Sequence, residues 1–250
     1  MKTRMAGLIA VTLMMALSVA HAEEPGPWRA EIAPYAWSAG IDGTITVDGQ
    51  EIEFEKSASD LFDYVEFSGG LTGSVQYNHW VFRGQFDYFS LSTDALEVEN
   101  QPRGGKLDSE FVLTELGAGY QIGGWKEGQT FELLVGLRLL HVKNDLEKYG
   151  VGSYSKSSDL MDPMITARGA VPIFPSKIRG LWLNTLAAIG GGGDSDLVYE
   201  LQPQLLYQFT YNADVRLGYR RIGWNVDSDE NDDELDFGLA GLVFGVGFNF

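Results

Sequence analysis

Few residues in this chain could make or break bonds, and their spacing narrows the chemistry. Beyond residue 22 the histidines are His79 and His141, and there is no cysteine, which excludes thiolate nucleophiles, cysteine metal sites and disulfides. His141 is followed by Asp145 and then by Ser153, Ser155, Ser157 and Ser158. A base, a carboxylate and a hydroxyl are the parts of an acyl-transfer triad, but only convergence in space makes them one. The acidic run from Asp227 to Glu234 alternates like the start of a calcium loop. Asp232 stands where that loop needs glycine and Gly238 where it needs a bidentate glutamate, so a solvated loop is expected and no metal site. A third set is larger: Arg83, Arg138, Arg168, Arg216 and Arg220, with Asp87, Glu115, Glu132, Asp162 and Glu200. Charges in such balance either pair within a closed interior or line a narrow aqueous passage.

An alternation of period two puts this third set on one side of the chain. Between residues 67 and 77, Phe67, Leu71, Val75 and Tyr77 occupy odd positions, and Ser68, Thr72, Ser74 and Gln76 even ones. Further on, Trp80, Phe82, Phe86 and Tyr88 oppose Arg83, Gln85 and Asp87. Phe131, Leu133, Val135, Leu137 and Leu139 oppose Glu132, Gly136 and Arg138. Tyr199, Leu201, Leu205, Tyr207 and Phe209 oppose Glu200, Gln202, Gln204 and Gln208. Alternating stretches of about 9–11 residues read as strands of a transmembrane barrel, apolar parity to lipid and polar parity to the lumen.

Strands are expected near 28–46, 66–78, 80–93, 107–122, 129–143, 160–172, 177–189, 196–210, 214–226 and 235–250. Their number is even, as closure of such a barrel requires, with eight and twelve as the neighbouring alternatives. With the N-terminus periplasmic, short turns at 78–79, 123–128, 172–176 and 211–214 alternate with outer loops at 47–65, 94–106, 144–159, 190–195 and 227–234. Pro34 interrupts the first strand and leaves the direction of Tyr35 and Trp37 open. Gly70, Gly117, Gly119 and Gly136 fall on the inward parity and are expected to free space there. In the first outer loop, Ser59 or Asp60 is placed to cap a helical turn that sets Leu61, Phe62 and Val65 on the barrel mouth.

The ends of the chain say where such a barrel would be made. Residues 1–22 combine Lys2 and Arg4, an apolar stretch from Leu8 to Val19, and Ala20-His21-Ala22, the layout of a cleaved signal peptide. Of 250 residues, 31 are glycine and 12% aromatic; without Lys2 and Arg4 the charge goes from −17 to −19, against nucleic-acid binding. At the other end, Phe244, Val246, Phe248 and Phe250 alternate with Gly245, Gly247 and Asn249. This pattern resembles the C-terminal strand by which Gram-negative outer-membrane barrels are presented to their assembly machinery, with Phe248 and Phe250 as the signal.

The chain also resembles a family of small outer-membrane β-barrel proteins found as uncharacterised sequences in proteobacteria. The resemblance rests on Pro34-Tyr35-Ala36-Trp37, Gly40-Ile41-Asp42-Gly43, Ser59-Asp60-Leu61, and Asp162-Pro163 with Arg168. It continues through Gly190 to Gly193 with Ser195-Asp196-Leu197, then Leu217-Gly218-Tyr219-Arg220, and the Phe-ended strand. Gly192 stands where the family has an aromatic, and Arg221 where tyrosine is common. The resemblance implies a fold and a location and supplies no catalytic residue.

The expectation is therefore an all-β chain: a signal peptide over 1–22, and over 23–250 a closed, antiparallel transmembrane β-barrel in the cell outer membrane. It is expected to be monomeric, without cofactor or nucleic acid, in contact with outer-membrane lipid, lipopolysaccharide and, during biogenesis, the barrel assembly machinery. A structural or narrow-pore, porin-like role leads. The alternatives are a surface interaction protein using acidic outer loops and a barrel enzyme. The His-x-Ser and Asn-His-Ser patterns of outer-membrane lipid hydrolases do not occur, nor do Asp-x-Asp and Asp-x-His occur as a pair, as in barrel proteases. His141 accordingly reads as an interfacial residue.

Overall fold

The structure is a computed structural model that describes residues 27–47, 50–56, 65–93, 105–123, 129–148, 152–228 and 233–250. The expected signal peptide over 1–22, the helical turn expected at Ser59–Phe62 and the centre of the acidic run, residues 229–232, lie outside the described residues. The strands are β1 (Trp28–Val47), β2 (Gln50–Lys56), β3 (Val65–Tyr77), β4 (Trp80–Thr93), β5 (Gly105–Gln121) and β6 (Thr130–Lys148). They continue as β7 (Gly152–Pro172), β8 (Leu181–Gly190), β9 (Leu197–Thr210), β10 (Ala213–Ser228) and β11 (Asp233–Asn249). Each pairs antiparallel with its neighbour, and β1 pairs with β11 from Glu31 opposite Asn249 to Thr46 opposite Glu234, which closes the barrel. On its other edge β1 meets β3 along Trp28–Ala36 and β2 along Ile41–Val47. Strands β2 and β3 thus share one stave, and the barrel has ten. Ala30 and Phe250 exchange both backbone hydrogen bonds, at 3.1 and 2.9 Å, so the last residue is part of the seam.

One end of the barrel carries tight turns. Asn78, at φ 55°, reverses the chain between β3 and β4. The turn before β8 is longer than expected, because Lys177 and Ile178 both donate to the Phe174 carbonyl and delay the strand to Leu181. At the opposite end the expected loop 144–159 is mostly strand. Lys143 pairs with Ser157 and Lys148 with Gly152, so the β6–β7 ladder runs on after the apolar alternation stops. Strand pairing needs only backbone donors and acceptors; alternation marks only the part that faces lipid.

Outward residues form an apolar belt that water would not tolerate on this scale: Leu116 is 61% exposed, Val135 64% and Leu242 60%. On β6 the belt runs from Phe131 to Leu139, within the roughly 9–11 residues a tilted membrane strand needs. At the tight-turn edge Trp28 packs on Tyr77 with ring centroids 4.6 Å apart, and Trp80 meets Tyr120 edge-on at 5.5 Å. Such a girdle suits an interface that is apolar on one side and wet on the other.

Of the four inward glycines, Gly70, Gly119 and Gly136 do not open the lumen as expected from sequence, whereas a Cβ on Gly117 would meet nothing closer than 3.5 Å. A Cβ on Gly119 would lie 2.0 Å from the Leu133 carbonyl oxygen, and one on Gly136 would lie 2.2 Å from that of Leu116. These glycines let β5 and β6 approach and bend. Gly136→Val should therefore destabilise the refolded protein by about 1–3 kcal/mol in urea titrations in lipid vesicles. Gly84→Ala, whose Cβ would meet only Leu116 Cδ2 at 3.4 Å, should change the midpoint little.

Candidate functional site

Because β4, β5, β6, β9 and β10 keep strict alternation, their polar parity converges in the lumen. Arg220 on β10 donates from Nε to Glu200 Oε1 at 2.8 Å and from Nη1 to Asp87 Oδ1 at 2.8 Å. Its guanidinium also lies 4.6 Å from the centroid of the Trp37 ring. Glu200 in turn accepts from Arg138, which donates to Glu115 Oε2 from Nη2 at 2.5 Å and from Nε at 3.1 Å. Thr166 Oγ1 donates to the other Glu115 oxygen at 3.2 Å, and Tyr35 donates its hydroxyl proton to Asp87 at 2.5 Å. Arg83 is held indirectly: it donates to Gln85 at 2.9 Å, and Gln85 donates to Asp87 at 3.2 Å.

A second cluster lies nearer the tight turns. Arg168 on β7 reaches Glu31 on β1 at 3.2 Å, and these strands are five staves apart, the greatest separation a ten-stave ring allows. Arg216 meets Glu31 at 2.9 Å and Asp214 at 2.6 Å. Glu132 approaches Arg168 at 3.8 Å. Between the two clusters is a cavity of about 30 Å³ lined by Arg83, Arg168, Arg216 and Glu31, room for a water or two.

Above the first cluster, toward the long hairpins, the inward parity turns apolar. Trp37, Phe89, Leu140, Met164, Ile222 and Trp224 pack into one buried cluster, with Ile41, Phe111, Val142 and Phe237 laid on it from the mouth side. Trp224 stacks on Phe237 at 4.9 Å. The interior is therefore layered: charged in the middle and toward the tight turns, greasy toward the mouth. Arg138 is 1% exposed and Arg220 is fully buried.

All ten charged residues singled out from the sequence lie on the inner face, but not in one network. Asp162 pairs with no arginine among the described residues; it accepts from Ser195 N and Ser195 Oγ, both at 2.9 Å, and so anchors the β8–β9 loop. Gly191 (φ 136°) and Gly192 (φ 75°) turn that loop back along β7, where a side chain would be strained. Glu31, Asp214, Tyr35 and Trp37 were missed as site residues. Parity carried from Ala33 through Pro34 puts Glu31 and Tyr35 on the inner face, but a proline inside a strand masks that signal. Pro34 in fact faces outward and the register runs through it: Pro34 sits opposite Leu71 and Tyr35 opposite Gly70.

The possible catalytic set is dispersed. His141 Nδ1 is 2.6 Å from Asp159 Oδ1, its cross-strand neighbour, and not from Asp145. Asp145 instead meets the Lys143 ammonium at 2.5 Å, and this pairing with a further bond from Ser155 holds its carboxyl below the usual range. Ser153, Ser155, Ser157 and Ser158 belong to β7 and not to a loop. Asp227 and Ser228 end β10 and pair with Glu234 and Asp233, which begin β11, so the two ends of the acidic run belong to strands. Among the described residues no group of three or more His, Cys, Asp or Glu is arranged to hold a metal.

No protein-family model and no curated protein sequence matches the chain. Among solved structures it is similar to the translocator domain of autotransporter NalP from Neisseria meningitidis, at 13% identity over 98% of this chain and 96% of that one, TM-score 0.48. It is similar to the outer membrane protease OmpT from Escherichia coli at 8% identity over 93% and 99% of the two chains, TM-score 0.46. A third is the outer membrane protein OprG from Pseudomonas aeruginosa, at 15% identity over 89% and 94%, TM-score 0.31.

Removing Arg220 alone leaves Asp87 with only the neutral donors Tyr35 and Gln85, and Glu200 with Arg138 as its remaining arginine. Arg220→Met should destabilise the barrel by about 3–5 kcal/mol, and adding Asp87→Asn and Glu200→Gln should recover part of the loss. Urea midpoints of the single and combined variants in vesicles measure both; purely additive losses would show that the three groups do not act together.

Proposed function

We propose that the protein is an integral outer-membrane β-barrel of a Gram-negative bacterium whose lumen is plugged by its own side chains, so that it serves as a structural barrel and not as an open pore. The observation that carries this reading is the Arg168–Glu31 bridge across the full width of the lumen, with the buried Arg138–Glu200–Arg220 chain and an apolar layer above it. A solute crossing the barrel would have to break several buried ion pairs and then pass a greasy constriction. The apolar belt and aromatic edge support membrane insertion, and the signal-peptide pattern supports export. Phe248 and Phe250 are the proposed assembly signal, and lipid, lipopolysaccharide and the assembly machinery the proposed contacts of a monomer. The β6–β7 hairpin, which outruns the belt, favours surface contact as a second role. His141 and Asp159 face outward on the wall, away from any lumen pocket, which lends the enzyme reading no support.

Refolded protein in planar bilayers is expected to give no current steps at moderate voltage; well-resolved steps from the wild type would overturn the plugged reading. In cells, Phe250→Ala should lower the amount of heat-modifiable barrel in the outer membrane several-fold while leaving total synthesis unchanged. Equal amounts of folded barrel in both strains would remove the assembly role.

A further inference from the structure

A second site lies on the outside of the wall, immediately beyond the apolar belt at the long-hairpin end. Four strands present one row there: Tyr199 on β9 is opposite Gly223 on β10, Gly223 opposite Gly238 on β11, and Gly238 opposite Asp42 on β1. The two adjacent outward glycines let the Tyr199 ring and the Arg221–Asp42 pair settle close to the wall, as the floor of a depression. They line a groove of about 860 Å³ on this sector of the barrel.

The groove is built and not merely uncovered. A Cβ on Gly223 would lie 2.4 to 2.6 Å from Cε1, Cζ and the hydroxyl of Tyr199, so that side chain crosses over the glycine; it remains 38% exposed. Arg221 crosses the lower edge, donating from Nη1 and Nη2 to the two Asp42 oxygens at 3.1 and 2.8 Å and from Nε to the Tyr199 hydroxyl at 3.3 Å. Asn225 donates to Asp236 at 2.7 Å along the upper edge. Below Arg221 the wall returns to Tyr219 and Leu242, both exposed belt residues. The groove therefore sits where lipid chains end and headgroups begin.

Its chemistry selects among headgroups. A flat aromatic face flanked by fixed carboxylate, guanidinium and carboxamide groups matches a pyranose, which offers C–H bonds to the ring and hydroxyls to both donors and acceptors. A bare phosphate would meet Asp42 and Asp236 against the single cation Arg221, a net negative site. We infer that this groove binds the sugar headgroup of an outer-leaflet glycolipid, Tyr199 serving as the stacking platform and Asp42, Arg221 and the Asn225–Asp236 pair as hydroxyl partners. The inference rests on the outer-membrane reading above, and it adds a defined lipid site to it.

The test is native mass spectrometry of the full, refolded chain in detergent, titrated with a core-truncated lipopolysaccharide in EDTA, with phosphatidylglycerol as competitor. The wild type should retain glycolipid in preference to phospholipid. Tyr199→Ala and Asp42→Asn should each weaken retention by about 10-fold, the size expected for one lost stacking or polar contact. Tyr199→Phe keeps the ring and should bind almost normally, as should Tyr207→Ala, which removes an exposed tyrosine from the belt lower on the same strand. A heat-dependent gel shift checks that each variant is a closed barrel. Equal retention by wild type and Tyr199→Ala, preference for phosphatidylglycerol, or binding that appears only with calcium would overturn the inference. A folded barrel that retains no glycolipid overturns this site alone, whereas a wild type with no heat-dependent shift would take down the membrane reading with it.

Discussion

A guanidinium in a narrow barrel is tolerable only where carboxylates reach it from more than one wall, and Arg220 imposes that condition on the rest of the molecule. Its partners come from β4 and β9, its cation–π face from β1, and Glu200 passes the requirement on to Arg138 and hence to Glu115 on β5. Every strand in this chain must keep its register, because a slip of one residue turns the inward carboxylate out into lipid and leaves a buried charge alone. Burial of ion pairs of this kind adds little net stability compared with a greasy core, but it penalises wrong registers heavily. In a sheet whose ladder hydrogen bonds are indifferent to sequence, that penalty distinguishes the native pairing from its neighbours.

The barrel was legible in the sequence because lipid enforces alternation and alternation survives in single residues. Phe131 to Leu139 gave one wall without ambiguity, and the ten lumen charges followed from parity alone. What parity could not convey is who pairs with whom. Asp162 and Arg138 are cross-strand neighbours, yet Asp162 turns to Ser195 while Arg138 reaches Glu115 and Glu200. That choice depends on the β8–β9 loop folding back through Gly191 and Gly192, a long-range fact. The extended hairpins were hidden for a different reason: Ser153 to Asp159 carries no apolar face, since both of its faces lie beyond the belt, so only its backbone registers it as strand. The β2 segment did alternate, as Glu51-Ile52-Glu53-Phe54-Glu55, but inside a stretch assigned to a loop.

Several short motifs that seemed unrelated along the chain meet in space. Tyr35 and Trp37 of the first strand both contact Arg220 of the tenth, Asp162 holds Ser195 of the glycine-rich loop, and Gly191 N donates to the Pro163 carbonyl at 3.3 Å. They describe one structural unit: an arginine held under an indole, and a loop pinned to the wall beside it. A proline at position 34 fits this unit because its ring points outward, where its own lack of an N–H is met by only one bonded neighbour at the seam.

The layering of the lumen has a direction, and the direction bears on what such a barrel can do. Polar groups fill the half near the tight turns, while indoles and aliphatic chains fill the half near the long hairpins, beyond the Arg138–Glu200–Arg220 layer. Above that layer Trp37, Phe89, Leu140, Ile222 and Trp224 are buried against one another as in a packed core. This packing reaches the rim, because Trp224 and Phe237 inside the wall are flanked by Gly223 and Gly238, whose outward faces carry Tyr199 and the Arg221–Asp42 pair. A wall fixed from within holds those outer side chains in place without further contacts from outside. The inward packing of Trp224 and Phe237 and the outward row of Tyr199, Arg221 and Asp42 are thus two faces of the same stretch of wall, and a substitution at Gly223 or Gly238 would disturb both.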